Sequence, residues 1–230
     1  IAGKGFYQSA GTLIQATDPN TTLTVSTQND VVLNSLAADT VDLNVSGDLL
    51  AAADGTGVEL AATDLVINTS GAFGTTGRAG REIDISTQTL DFQGAGDVSL
   101  RSQGNLSLDR FVLTGDKTTV SIDASAYGGE SGHLTIGASL DLGQASDSFF
   151  GADGDVVIKA NSALSLGDER ATLKAGGSIT LESNAQLVAG DVLSLMAQGA
   201  LTMLTAVSRD ERFCTVRLGA GRDDPEPSDC

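Results

Sequence analysis

The sequence predicts an all-β fold, a right-handed parallel β-helix with about 22 residues per coil and three short strands in each coil. The first observation is a recurring phrase in which apolar, polar and apolar residues alternate, as in Val98-Ser99-Leu100 and Ile179-Thr180-Leu181. Strict alternation indicates a strand that buries one face. The second observation is the period, since equivalent phrases return at Val98 and Val120, and again at Val156 and Ile179. Strands this short bury a core only by stacking on copies of themselves, and parallel crossovers are almost always right-handed.

The same period extends through the second half of the chain. Val156 follows Leu134, and Leu201 follows Ile179, at the interval that separates Val98 from Val120. About eight or nine coils, each rising by about 4.8 Å, make a rod about 40 Å long. We expect the apolar ends of the triplets, such as Val98, Val120, Val156 and Ile179, to point inward and the triplet centres to point outward.

Three regions follow from the regularity of the pattern. Residues 1–20 are less regular and read as an N-terminal cap or an atypical first coil. Residues 21–204 carry the repeats, which are interrupted by Gly-rich stretches at Gly71–Gly80 and Ala124–Gly132 that we interpret as loops. Residues 205–230 are predicted to hold one last strand or cap and an extended acidic tail.

Other repeat and all-β architectures fit the pattern less well. Short strands at regular spacing also occur in sandwiches and barrels. Their hairpins prefer strands of about five or six residues and turns such as Asn-Gly, and that dipeptide does not occur in this chain. A helical repeat would need the apolar period of an α-helix, which the sequence lacks.

Composition narrows the function classes. The formal net charge is −17, with 30 acidic and 13 basic residues. A chain this acidic lacks the basic patch that nucleic acids require, and it is repelled by anionic membranes. No apolar run is long enough to span a bilayer, so neither membrane insertion nor a transmembrane helix is expected. A body without cysteine suits a secreted rod, and Cys214 and Cys230 near the C-terminus form a possible disulfide in an oxidising compartment.

Two phrases carry a resemblance to a known family. Gly96-Asp97-Val98-Ser99-Leu100-Arg101-Ser102-Gln103-Gly104-Asn105-Leu106-Ser107-Leu108 and Ala175-Gly176-Gly177-Ser178-Ile179-Thr180-Leu181 resemble the repeats of filamentous-haemagglutinin-like exoproteins. These are bacterial proteins of the two-partner-secretion and autotransporter types. The resemblance spans about residues 20–205. It implies a large bacterial surface or secreted protein, often an adhesin.

Carbohydrate-cleaving enzymes also use parallel β-helices, with carboxylates on the outward face of stacked strands. Five triplets carry a carboxylate that we expect to point outward into solvent, namely Asp42, Glu59, Asp84, Asp91 and Asp141. Paired carboxylates are the groups of acid/base glycoside hydrolysis. A groove that clusters carboxylates with Arg or Lys would favour a polysaccharide lyase or hydrolase. Because basic residues are sparse in the body, we expect no enzyme and no catalytic residue.

Two features of the sequence bear on metal or cofactor chemistry. His133 is the single histidine, and we interpret it as a loop residue. Gly151-Ala152-Asp153-Gly154-Asp155 resembles half of a calcium-binding nonapeptide, which makes Asp153 and Asp155 the candidate calcium ligands. Such sites need tandem copies, so we expect no cofactor. A calcium-dependent surface module stays an alternative, and the effect of EDTA on melting would distinguish it.

The ends of the rod are the predicted assembly sites. A solenoid end offers unpaired backbone groups that a neighbour can satisfy. The C-terminal segment contributes Arg212, Phe213, Cys214 and Arg217 as candidate contact residues for head-to-tail stacking. We therefore expect a non-enzymatic extracellular solenoid, secreted or on the cell surface, such as an adhesin stalk, a matrix component or a filament subunit. Its expected partners are further copies of itself, or a glycan or protein of a cell surface.

Overall fold

Alternating apolar residues build short strands along the whole described chain. The computed structural model describes residues 1–52, 57–74, 82–116, 118–125, 130–167 and 169–204. These residues form 24 strands and no helix: β1 (Ala2–Gly3), β2 (Phe6–Tyr7), β3 (Ile14–Gln15), β4 (Thr22–Thr27), β5 (Val31–Leu33), β6 (Leu36–Ala37), β7 (Thr40–Val45), β8 (Leu49–Ala51), β9 (Leu60–Ala61), β10 (Asp64–Thr69), β11 (Ile83–Ser86), β12 (Thr89–Gly94), β13 (Val98–Gln103), β14 (Leu106–Leu113), β15 (Thr119–Ser125), β16 (Leu134–Asp141), β17 (Asp147–Ala152), β18 (Val156–Ile158), β19 (Ala163–Ser165), β20 (Arg170–Ala175), β21 (Ile179–Leu181), β22 (Gln186–Val188), β23 (Val192–Ala197) and β24 (Leu201–Met203).

The strands form three sheets, and every pair between named strands is parallel. Sheet I runs in the order β1-β4-β7-β10-β12-β14-β16-β18-β21-β24. In addition, β19 pairs with the second half of β16, and β22 pairs with β19. Sheet II runs β23-β20-β17-β15-β13-β11-β9-β6-β3, and sheet III runs β2-β5-β8. Because the chain returns to the same sheets once per coil, the fold is the predicted parallel β-helix. The ten stacked levels of sheet I correspond to a rod about 43 Å long at about 4.8 Å per step.

The predicted register is confirmed. Val98 pairs with Val120, and Leu134, Val156, Ile179 and Leu201 stack in successive strands of sheet I. Like residues stack on like because a slip by one residue would turn each apolar side chain toward solvent.

Coil length is less uniform than the sequence period indicates. Thr22 pairs with Thr40 after a short step along the chain, whereas Leu106 pairs with Leu134 after a much longer one. The differences are absorbed at the corners, so the strands keep their register while the connections vary. The coils therefore differ in the length of the connections at their corners, while the strands that form the core stay aligned.

The number of strands per coil changes along the rod. Three short strands form each coil near the ends, as in β4-β5-β6 and β21-β22-β23. In the middle, two longer strands take their place, because β16 pairs with β18 through its first half and with β19 through its second half. The prediction of three short strands per coil thus holds best toward the two ends.

The core is a continuous stack of apolar side chains inside the coils. Val98, Val120, Val156 and Ile179 are all at most 1% exposed, which confirms that they point inward. Each such side chain contributes about 1.5–3 kcal/mol through burial. Phenylalanine adds one aromatic stack, in which the ring centroids of Phe92 and Phe111 are 4.6 Å apart.

The irregular regions partly join the coils. β1, β2 and β3 pair with β4, β5 and β6, so residues 2–15 make a first coil of very short strands. The loop interpretation is wrong at the start of both interruptions: Phe73 is fully buried and bridges Leu49 to Val98, and Ala124 is fully buried in β15. Apolar side chains at core spacing pull these residues inward. Residues 75–81, 126–129 and 205–230 lie outside the described residues.

Candidate functional site: a charged column on sheet II

Charged side chains from successive coils line up on the outer face of sheet II. Asp84 pairs in register with Arg101, Arg101 with Asp123, Asp123 with Gly151, and Gly151 with Lys174. The pairing of Leu60 with Ile85 places Glu59 next to Asp84 at the lower end. We call this set the charged column: Glu59, Asp84, Arg101, Asp123, Gly151 and Lys174. Neighbouring members are one coil apart, about 4.8 Å.

An ion pair joins two members of the column, the buried carboxylate of Asp84 and the partly exposed side chain of Arg101. The Arg101 guanidinium donates from Nε to Asp84 Oδ1 at 2.9 Å and from Nη2 to Asp84 Oδ2 at 2.6 Å. A second carboxylate, Glu82, lies 3.8 Å from Arg101 Nη1. The two-point contact between Arg101 and Asp84 is the geometry in which arginine binds a carboxylate most strongly.

Glu59 and Asp84 differ from the expectation of solvated carboxylates. Glu59 is 5% exposed and Asp84 is 2% exposed. Asp84 is covered on one side by Arg101, and its backbone N–H donates to Glu59 Oε2 at 2.7 Å. The two carboxylates point away from the core, yet neighbouring groups shield them from water.

Two carboxyl groups of the column hold their protons more tightly than usual. Burial, and next the charge of Asp84, raise the pKa of Glu59 from 4.5 to about 7, against the opposing hydrogen bond from the Asp84 N–H. Burial also raises the pKa of Asp123, helped by the nearby Asp153 and opposed by the Ser125 hydroxyl, Lys174 and Arg101. Glu59, whose pKa is raised to about 7, therefore lies beside a second carboxylate that is paired with arginine, and two carboxyl groups in such different environments are the arrangement of an acid/base pair.

The other predicted carboxylates lie elsewhere. Asp42 accepts a hydrogen bond from Asn44 Nδ2 at 2.9 Å, Asp91 pairs with Arg110 Nε at 2.7 Å, and Asp141 Oδ1 accepts the Gly143 N–H at 3.0 Å. All three belong to sheet I. The structure therefore brings together only Glu59 and Asp84 of the five.

Arg101, Asp123 and Lys174 were missed by the sequence reasoning. Each directly follows an inward apolar residue, as in Leu100-Arg101 and Leu173-Lys174. The alternation thus continues one step past the triplet, and this signal marks them as outward. The sequence contains no signal for their alignment, since coil lengths differ.

His133 and Asp155 belong to a corner where successive coils are joined by side chains. His133 donates its backbone N–H to Asn105 Oδ1 at 3.0 Å, and His133 Nδ1 accepts the Asp155 N–H at 2.9 Å. Asp155 Oδ1 in turn accepts the Ser178 N–H at 2.7 Å. Asp48 does the same for Ala72 at 2.8 Å. This is a structural reason for the recurring Gly-Asp-apolar phrase, since the aspartate caps a backbone donor of the next coil.

The candidate calcium ligands are placed differently from each other. Asp155 is engaged in the corner, with Oδ2 3.5 Å from His133 Nδ1, while Asp153 lies beside Asp123 and raises its pKa. Across the described ranges, no group of three or more His, Cys, Asp or Glu is arranged to hold a metal ion. Calcium binding at Asp153 and Asp155 stays an untested alternative to the expectation of no metal site.

The predicted assembly residues Arg212, Phe213, Cys214 and Arg217 lie outside the described residues, as does Cys230. Among the residues that are described, no helix is long and apolar enough to cross a membrane. No protein-family model, curated protein or solved structure matches the chain. The fold assignment therefore rests on the strand pairing.

Proposed function

We propose that this chain is the body of a non-enzymatic extracellular β-solenoid, a stiff rod that serves as an adhesin stalk, a matrix component or a filament subunit. The observation that supports this proposal is the unbroken run of ten parallel levels from β1 to β24 in sheet I. Backbone groups of one coil pair with those of the coils on either side, so stiffness comes from the backbone and length grows by adding coils.

The repeat phrases support a place among filamentous-haemagglutinin-like exoproteins. In such a protein the rod would be exported and displayed outside a bacterial cell. The side-chain caps at the corners fit this role, because they strengthen the joint between coils without any bound factor. Asp48 and Asp155 are examples on two different coils.

Location and shape are tested together. Immunogold labelling of the cells that make the protein, with antibodies raised against the purified chain, is expected to place it on the outer surface or in the medium. Electron microscopy of the purified chain is expected to show rods. Label confined to the cell interior would overturn the proposal, whereas globular particles would overturn the stalk function alone.

A second candidate function is cleavage of a polysaccharide. The observation that favours it is the charged column itself, which clusters carboxylates with Arg101 and Lys174 on one face. Asp123 is its best acid, because its pKa is raised and it is only half-buried. Glu59 and Asp84 are too deeply shielded to meet a polymer directly.

Turnover assays decide between the two functions. The purified chain is incubated with pectin, alginate, cellulose and β-1,3-glucan, and new reducing ends or unsaturated products are measured. We expect no cleavage. Turnover that is lost in Asp123→Asn and kept in Asp141→Asn, which changes an exposed carboxylate of sheet I, would establish the enzyme instead.

A further inference from the structure

One aromatic side chain stands out on the outer face of sheet II. Phe149 lies in β17 between the buried Ser148 and Phe150, so it points outward, and it is only half-buried. Its register partners in the adjacent coils are Ser121 and Thr172. Because this ring points away from the core, core packing does not explain why a phenylalanine stands in a row of hydroxyl side chains on so acidic a rod.

Gly151 shapes the surface next to this ring. A Cβ atom at Gly151 would lie 2.7 Å from Phe149 Cε1 and 2.9 Å from Cζ, and 2.5 Å from Asp123 Oδ1. The far edge of the ring therefore leans over the glycine, along the strand. Any side chain at position 151 would push both the ring and the Asp123 carboxylate away, so glycine here allows them to lie together.

Polar groups surround the ring on three sides. Asp123 lies one coil below Gly151 and Lys174 one coil above it. Asp153 follows two residues later on the chain, close enough to Asp123 to affect its titration. Lys174 is exposed, and the ion pairs that arginine and lysine make between described residues involve Arg101, Arg110, Lys159 and Arg170. From Asp123 to Lys174 is two coil steps, about 9.6 Å.

This set of groups matches the chemistry of a sugar ring. The apolar C–H face of a sugar packs on an aromatic ring, its hydroxyls donate to carboxylates, and an ammonium donates to its oxygens. The two carboxylates and the net charge of −17 repel acidic polymers. The ligand class is therefore a neutral glycan.

We propose that Phe149, Asp123, Asp153 and Lys174 form a binding site for a neutral glycan, with one sugar ring packed on Phe149. This site would give the proposed adhesive function a ligand. It rests on that function only for the assumption that the chain meets the glycan outside the cell. The competing explanation is that the ring merely shields the Gly151 backbone, as aromatic residues do beside glycines in sheets.

The test is titration calorimetry of the full chain with four neutral probes: cellohexaose, maltohexaose, laminarihexaose and chitohexaose, with oligogalacturonate as the acidic comparison. We expect one neutral probe to bind. Phe149→Ser, which installs the kind of residue found at Ser121 and Thr172, is expected to weaken it by about tenfold or more. Asp123→Asn is expected to weaken it as well. The matched control is Val112→Ser, a half-buried outward residue of sheet I, which should bind as the parent does.

Several outcomes overturn the site. They are no binding of any neutral probe at millimolar concentration, binding of oligogalacturonate alone, or equal affinity of the parent and a Phe149→Ser variant that melts normally. If Phe149→Ser melts early, Asp123→Asn carries the test. None of these outcomes would contradict the proposed rod shape or extracellular location, which electron microscopy and immunogold labelling test separately.

Discussion

The shielded carboxyl of Glu59 makes the stability of the rod depend on pH in a predictable direction. Its pKa is 4.5 in an ordinary environment and about 7 in the folded chain. Below pH 4.5 the group is protonated in both the folded and unfolded states and costs nothing. Between pH 4.5 and 7 the folded state binds the proton more tightly, so the unfolding free energy falls as pH rises.

The size of the effect follows from the same two values. A displacement from 4.5 to about 7 corresponds to about 3 kcal/mol of unfolding free energy lost by pH 8. Relaxation around the ionised carboxylate lowers this figure, so we expect about 2 kcal/mol. Glu59→Gln removes the ionisation, while the amide oxygen can still accept the Asp84 N–H. The variant should therefore lose most of the decline between pH 5 and pH 8.

Urea unfolding at pH 5, 6, 7 and 8, followed by circular dichroism, measures the difference. Asp123, whose pKa is also raised, leaves a smaller decline of the same sign in the variant. Glu130→Gln is the matched control, because Glu130 is exposed, and its pH profile should follow that of the parent. Identical profiles for the parent and Glu59→Gln would refute the reasoning that burial of this carboxyl destabilises the folded state at high pH.

Four further outcomes are expected. Ile179→Asp should cost several kcal/mol of unfolding free energy, because it buries an unpaired charge. Thr180→Asp on the outer face should change stability by about 0.5 kcal/mol or less. Equal losses in thermal melts would show that Ile179 does not point inward. Arg101→Met should cost about 3 kcal/mol in the same urea assay, because it leaves the buried carboxylate of Asp84 without its partner. Arg170→Met breaks an exposed ion pair and should cost less than about 1 kcal/mol. Asp155→Ala should lower stability by about 1 kcal/mol through loss of the acceptor for the Ser178 N–H, and an unchanged midpoint would contradict the corner role. Head-to-tail stacking through the C-terminal arginines should raise the particle mass in light scattering at low salt, and a strictly monomeric chain at high concentration would rule it out.

The alternation of apolar and polar residues determined the face and register of the strands. Val98 over Val120 and Val156 over Ile179 were predicted because apolar residues must point inward and stack on their own kind. The same reasoning indicated that Asp84 points outward. These properties are local and periodic, so a single sequence contains them.

The tertiary structure alone decided which outward residues meet. The steps along the chain between successive members of the charged column are unequal, because each connection between strands has its own length. Arg101 reaches Asp84 across the shortest of these steps, and Gly151 reaches Asp123 across the longest. The shielding that raises the pKa of Glu59 and the ring of Phe149 over Gly151 depend on these lengths. Alternation assigns a side chain to a face, but only the closed coils assign it a neighbour.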